Sequence, residues 1–518
     1  MMKRQKQLTE YQAKCLAITT DKILSPKQKS NFLAIEADSH IPYLATSQAL
    51  ADALENGVIC DMYEGNAPYK PRYVLPDYAK YLKQGSDYLE LPPAADFDDA
   101  LNHLMIVYHH VPSVTNFPVF LGYLDQLLMP YVGELTEEQL YPKLKRFWIQ
   151  LDRTLPDAFM HANIGPDDNL ICRLILRIDA ELKQVAPNLT FVYHPQRTPE
   201  PLFLQVIENI CECSKPHIAN DIIHSAAFDG LGYGIVSCYN SLPIAGGGST
   251  LVRLNLREVA LRSQNAAGFL TVQLKKYCEL QMELIETRSA FLFEGSNFFQ
   301  TSFLVHEGLI EPQRFTPMFG IYGLAEAVNI LMEKDGIQGH YAPDSPALPL
   351  AYQISEQLAD FVETTPVKYG YKNRAMLHAQ SGISSDTGTT PGARIPYGEE
   401  PDPVSHIQTV APHHKYYLSG ISDILTIDET IKQNPQALLQ LCKGAFSCGM
   451  REFTANVASN DLVRVTGYMV RLSDIEKYKT EGSRSNTTWL GEEATKNCNI
   501  TARQQRVISH EQSMRYTE

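Results

Sequence analysis

Two stretches of the chain hold residues whose types and spacing could do chemistry. Near the C-terminus, Asp461-Leu462-Val463-Arg464-Val465-Thr466-Gly467-Tyr468-Met469-Val470-Arg471-Leu472 sets one glycine in a run that otherwise reads as strand. Such a glycine ordinarily marks a bulge or a close backbone approach, because it has no side chain to pack. In mid-chain, Gly232-Tyr233-Gly234-Ile235-Val236-Ser237-Cys238-Tyr239-Asn240-Ser241-Leu242-Pro243 leads an apolar pair into a cysteine and follows it with turn formers. Ala245-Gly246-Gly247-Gly248-Ser249-Thr250 comes next, read as flexible backbone because it lacks the lysine of a phosphate loop. An alternating strand, Leu251 to Leu256, closes the stretch. A thiol on a loop tip fed by strands suits a barrel interior. The plain reading of a lone cysteine is a buried structural thiol, and the other nine cysteines keep it.

The local pattern at Gly467 has a counterpart. Arg-Val-Thr-Gly-Tyr, then an apolar residue and a second arginine, resembles the radical loop of the glycyl radical enzymes. Segments along the chain extend the likeness. They include Pro118 to Asp125 with Leu127 to Tyr131, Pro187 to Tyr193, Gly320 to Ala327, and Thr390-Pro391-Gly392-Ala393-Arg394. Gly57 to Met62 and Thr487 to Glu493 make the YjjI-type group of that family the best match. The resemblance implies an unpaired electron stored on the α-carbon of Gly467. A radical flanked by an amide nitrogen and a carbonyl is stabilised by both, and a Cβ would crowd the flat centre. It also implies that Cys238 takes up the radical. S–H and glycine Cα–H bonds are close in strength, so hydrogen passes either way and a thiyl can open radical chemistry in a site that excludes water.

The implied fold is an α/β barrel of ten strands, of the glycyl radical enzyme and anaerobic ribonucleotide reductase type, with a C-terminal glycine radical domain. The implied activity is C–C or C–X cleavage of a small-molecule substrate, that of a lyase. A separate radical-SAM activating enzyme would install the radical, and no permanently bound cofactor is expected, since the chain has no iron–sulfur motif. Arg464 and Tyr468 would anchor the radical loop. Pyruvate formate-lyase uses adjacent cysteines, whereas Ser237 and Tyr239 flank Cys238. The dehydratases place a glutamate two residues after the cysteine. Here Asn240 stands there and cannot take a proton. A base would come from elsewhere, with Glu326 a candidate whose plain alternative is a carboxylate at a helix N-terminus. His413 and His414 are candidates for substrate contact, although adjacent histidines point to different faces and chelate poorly, as do His109 and His110. No metal site is expected: Cys211-Glu212-Cys213 has no second pair. The missing C-x-x-C pair also sets ribonucleotide reduction behind the lead reading, with a non-catalytic radical protein as the remaining alternative.

The elements that must position these residues alternate between helical and strand patterns over about residues 100 to 390. Three units are expected: a helical segment over 1–95, the barrel with its thiol loop over 96–390, and the radical domain over 391–518. Asn434 to Glu452 reads as a helix with Pro435 in its first turn. The 518 residues carry a net charge of −14, which disfavours nucleic acid and anionic membrane as partners. No apolar run reaches membrane-spanning or signal-peptide length. Ten cysteines without framework spacing suit a reducing cytoplasm. A homodimer is compatible with these features and not required by them.

Overall fold

The computed structural model describes residues 2–22, 24, 26–62, 64–114, 120–155, 159–379, 386, 388–421, 423–464, 469–474 and 476. Fifteen strands are described. They are β1 (Ile59–Asp61), β2 (Tyr73–Leu75), β3 (Phe120–Tyr123), β4 (His161–Ile164), β5 (Asn188–Tyr193), β6 (His217–Asn220), β7 (Tyr233–Val236), β8 (Asn240–Pro243), β9 (Gly246–Asn255), β10 (Phe315–Tyr322), β11 (Met376–Ala379), β12 (Ile424–Ile427), β13 (Glu452–Val457), β14 (Leu462–Arg464) and β15 (Met469–Arg471).

Ten of them are staves of a barrel built in two halves. In one half β3, β4, β5 and β6 run parallel, with β2 beside β3. In the other, β9, β10 and β11 run parallel, as do β12 and β13. The parallel bridge Ala379 to Ile421 joins the two groups. The halves meet at antiparallel seams, β6 with β13 and β2 with β9. β1 continues the second seam along β9.

Parallel neighbours need crossovers, and helices supply them. Glu137–Thr154, Leu170–Leu182 and Glu200–Cys213 link β3 through β6, and Pro435–Ser447 links β12 to β13. Leu170–Leu182 shows how sequence sets such a helix. Asn169 accepts from the Cys172 N–H at 2.8 Å to start it, and Lys183 ends it in the left-handed region. Its buried face carries Ile171, Leu174, Ile175 and Ile178, each side chain contributing about 1.5–3 kcal/mol as an upper bound. β4, β5, β6 and β10 are buried along their whole length, as strands covered on both faces should be.

Several expectations meet corrections here. Gly246, Gly247 and Gly248 are not flexible backbone; they begin β9. A Cβ on Gly247 (φ +152°) would stand 2.0 Å from the Tyr73 carbonyl oxygen, and one on Gly246 would stand 2.3 Å from that of Arg314. These glycines let β2 and the turn before β10 approach. The helix beginning at Pro435 stops at Ser447, because Glu452 already starts β13. Residues before 95 are not helices and loops alone, since they supply β1 and β2.

Candidate active site

β7 and β8 form an antiparallel hairpin in which Val236 pairs with Asn240. Every residue of both strands is buried, because the hairpin runs inside the barrel. Its turn is Ser237-Cys238-Tyr239. Ser237 and Tyr239 adopt positive φ, 50° and 65°, each costing on the order of 1 kcal/mol or more. Such a turn persists only when its surroundings fix it, and here they do. From β4, the Asn163 amide accepts from the Ile235 N–H at 2.8 Å and donates to its carbonyl at 2.9 Å. His161 Nδ1 stands 3.3 Å from the Ser237 carbonyl oxygen. The Tyr73 hydroxyl donates to Ser237 Oγ at 3.4 Å, and the Ser241 N–H donates to the Ser419 carbonyl at 2.9 Å. Behind the turn, Gly420 (φ +118°) lies so close that a Cβ would stand 1.9 Å from the Tyr239 carbonyl oxygen.

Cys238 sits at the tip, 4% exposed, with Ser237 Oγ 3.8 Å from its sulfur. Three buried guanidiniums, of Arg72, Arg394 and Arg464, act on it electrostatically. Burial holds Arg394 and Arg464 below the usual arginine range.

Tyr239 links the turn to the C-terminal hairpin. The His217 ring stacks on it at 3.9 Å, and the Arg464 guanidinium lies 5.1 Å from its centroid. Arg464 closes β14, donates to Asn188 Oδ1 at 3.1 Å and Thr454 Oγ1 at 3.3 Å, and has its backbone N–H and C=O bonded to the Asn456 side chain. β14 pairs antiparallel with β15 in the register Arg464 to Met469. Gly467 and Tyr468 belong to the residues between, 465–468, and lie outside the described residues. On the far side of the hairpin, Arg471 Nη2 donates to the Lys183 carbonyl at 2.7 Å.

Beneath Tyr239 lies a line of polar groups. Thr190 Oγ1 bridges His161 Nε2 (2.6 Å) and His217 Nδ1 (3.0 Å). The Glu452 carboxyl follows, 3.6 Å from His217 Nε2 and 3.8 Å from His224 Nε2, and His224 Nδ1 stands 2.9 Å from Ser241 Oγ. Burial pushes Glu452 up to about 8 and holds His161 down to about 3.

The other candidates sit elsewhere. The Asn240 amide donates to the Val236 carbonyl at 3.1 Å, bracing the turn. Glu326 occupies the first turn of the helix Leu324–Lys334 and accepts from Thr390 Oγ1 at 2.5 Å; burial raises its pKa. The turn that carries Thr390 also carries Arg394, so Glu326 holds one end of it. His413 is bonded between Ser355 Oγ (2.8 Å) and the Tyr341 hydroxyl (3.1 Å) and burial lowers it to about 3. His414 Nδ1 accepts from the Arg451 N–H at 3.0 Å. His109 and His110 are exposed at a helix end. Among the described residues no cluster of three or more metal-ligating side chains occurs. Sequence reasoning passed over Arg72, Tyr73, His161, His217 and Glu452. Their one common signal is a buried polar residue in or beside a very short strand, such as His161-Ala162-Asn163-Ile164 and His217-Ile218-Ala219-Asn220.

The family model described as "Glycyl radical enzyme YjjI-like" matches residues 24–506. The chain belongs to the YjjI-like glycyl radical enzyme family. It is 65% identical over 507 residues to "Uncharacterized protein YjjI" of Escherichia coli strain K12, covering 98% of each chain. A Haemophilus influenzae protein is 41% identical over 460 residues, covering 88% of this chain and 89% of its own. The fold matches the B12-independent glycerol dehydratase of Clostridium butyricum with a TM-score of 0.66 at 12% identity, over 89% of this chain and 86% of that one. It matches the anaerobic ribonucleotide reductase of Thermotoga maritima with a TM-score of 0.66 at 13% identity, over 91% and 89%. The barrel is therefore that of the glycyl radical enzymes and anaerobic ribonucleotide reductases. No helix among the described residues is long and apolar enough to cross a membrane.

Proposed function

We infer that the protein stores a radical on Gly467 and uses Cys238 to begin radical chemistry on a small molecule. Gly467 loses its α-hydrogen to a radical-SAM activating enzyme in the cytoplasm. The Gly467 radical then takes the hydrogen atom of Cys238 S–H, restoring the Cα–H bond and leaving a thiyl. The thiyl takes a hydrogen atom from substrate, and the substrate radical cleaves a C–C or C–X bond. The reading is carried by one arrangement: Cys238 at a strained, many-sided turn inside the barrel, packed through Tyr239 against the hairpin that carries Gly467. Enclosure by the barrel keeps water from a reactive intermediate.

Adjacent-cysteine chemistry is not favoured, since Ser237 and Tyr239 flank the thiol. Glycerol-type dehydration is less supported than a cleavage without a base in the loop, because Asn240 is no base and its amide is engaged. Ribonucleotide reduction is less supported too, because the sequence has no C-x-x-C pair.

The test needs no substrate. Activated anaerobically in ordinary water, the protein should give an electron paramagnetic resonance doublet from coupling to the Gly467 α-hydrogen. Activated in D2O, it should lose that splitting, since reversible exchange with the solvent-exchangeable S–H of Cys238 delivers deuterium. Cys238→Ser should keep the doublet in D2O. No glycyl signal with a competent activase, or splitting lost equally in the variant, would sink the scheme.

A further inference from the structure

A protein of net charge −14 keeps an unusual number of cations inside. Among the described residues six arginines are buried: Arg72, Arg253, Arg288, Arg394, Arg451 and Arg464. Arg72, Arg394 and Arg464 act on Cys238. Arg451 acts on Glu452 and His224 beside the β7–β8 hairpin. Arg253 and Arg288 line a cavity of about 570 Å³ at the carboxyl ends of β9 and β10, together with Arg257, Glu258, Tyr322 and Asp386; Arg257 is paired with Glu258 at 2.8 Å. Its volume is that of a small-molecule site.

The buried carboxyls do not balance these charges. Asp125, Asp152 and Asp179 belong to the helices over β3 to β5, and Asp179 is taken by Lys215 at 2.6 Å. Near the β7–β8 hairpin and the cavity stand Glu64, Asp386, Asp423 and Glu452. Glu64 is shared between Arg72 (3.2 Å) and Arg288 (3.3 Å). Asp386 pairs with Arg253 at 2.7 Å, and Asp423 pairs with His406 at 3.0 Å and also faces Arg394. Glu452 holds its proton near neutral pH. Four arginines also carry a buried N–H without a partner: Nε of Arg72, Arg253 and Arg451, and Nη2 of Arg464. Burying a guanidinium without full compensation costs several kcal/mol, and an orphaned donor adds to that.

We propose that the substrate is a small anion, a carboxylate or a phosphate ester, taken up at the Arg253 cavity and drawn toward Cys238 by the guanidiniums of Arg72, Arg394 and Arg464. The proposal rests on the radical reading for its meaning and not for its test. Arginine forks match carboxylate and phosphate oxygens in charge and geometry, and a cationic interior behind an anionic exterior focuses its field on the mouth. Neutral diols would leave the excess charge where it is.

The experiment uses the full-length protein without activation. Glycolate, lactate, glycerate and glycerol 3-phosphate are titrated by calorimetry and ligand-observed NMR beside ethylene glycol, 1,2-propanediol and glycerol. An anion is expected to bind at least about tenfold more tightly than its uncharged counterpart, with affinity falling as salt rises. Carboxylates against the phosphate ester decide which head group fits. Arg253→Gln and Arg72→Gln are each expected to weaken the anion about tenfold or more. If either fails to fold, Arg253→Lys should retain the preference for anions. Equal binding of diols and anions, no anion binding at all, or affinity unchanged in both glutamine variants would overturn the proposal. Because no radical is present, none of these outcomes bears on the resonance test, and a missing glycyl signal would leave the anion preference intact.

Discussion

The guanidinium of Arg464 lies 5.1 Å from the ring centroid of Tyr239, so the strand leading to Gly467 and the residue following Cys238 are in contact. Arg464 also reaches Asn188 on β5 and Thr454 on β13. One side chain thus ties the C-terminal hairpin to both halves of the barrel and to the thiol turn. Arg464→Leu should cost about 2–4 kcal/mol, since it orphans buried acceptors. Hydrogen exchange should report the loss first in 462–464 and 469–471, with β4 and β5 less affected. Uniform loss of protection across the chain would contradict that local role.

Gly420 sets the back of the thiol turn. Gly420→Ala forces a Cβ against the Tyr239 carbonyl in a backbone region that alanine avoids. A loss of about 3 kcal/mol or more is expected, with loss of deuterium exchange into the glycyl radical at temperatures where the variant stays folded. A variant that matched the parent in chemical denaturation and in exchange would show that the turn can shift without consequence.

Glu452 makes stability depend on pH in a defined direction. Its folded value, about 8, lies above the ordinary glutamate value of about 4.3. The folded state therefore binds the extra proton between those values, and stability falls as pH rises through that window and levels off above it. Burial lowers His217 and His224, so their contribution is lost in the opposite direction, below about pH 6.5. Arg451 faces Glu452 and His224 and opposes the rise of the carboxyl; His414 bears on His224 and Arg464 on His217. Glu452→Gln should stay level where the parent declines. The gap between them should widen by up to about 1.4 kcal/mol per pH unit between about pH 6.5 and about pH 8, read by urea denaturation. Parallel pH profiles would refute the assignment.

His413 should matter for packing and not for chemistry. Both of its ring nitrogens are engaged, by Ser355 and Tyr341. His413→Leu should lower stability by about 1–3 kcal/mol while leaving the glycyl signal and its exchange in D2O unchanged at low temperature. Loss of exchange in a folded variant would return it to the site.

Much of the architecture was legible. The strand at Thr190 to Tyr193 stands out because burial on both faces selects a continuous apolar run, the one read at Leu251 to Leu256 stands out by alternation although it ends at Asn255 with Leu256 opening a helix, and Pro435 marks a helix start. The thiol turn was legible only in part: Asn240, Ser241 and Pro243, read as turn formers, are strand β8, and the chain reverses one step earlier, at Ser237-Cys238-Tyr239. What surrounds the thiol was not legible. Arg72, His161 and Glu452 arrive from distant strands of three or a few residues, and a lone polar residue in so short a run has no periodicity to betray which way it faces. The glycines at 246–248 misled for a related reason. A glycine that lets two backbones touch and one that lets a loop move look alike until the neighbouring strand is known.

The seam between β6 and β13 has a consequence for biosynthesis. Ala219 pairs with Glu452, so the outer edge of the first half stays open until more than two hundred further residues have left the ribosome, a delay on the order of tens of seconds. During that interval β6 is an unpaired template for any passing strand. A nascent chain stalled before residue 452 should therefore be a client of chaperones, and the finished one should not.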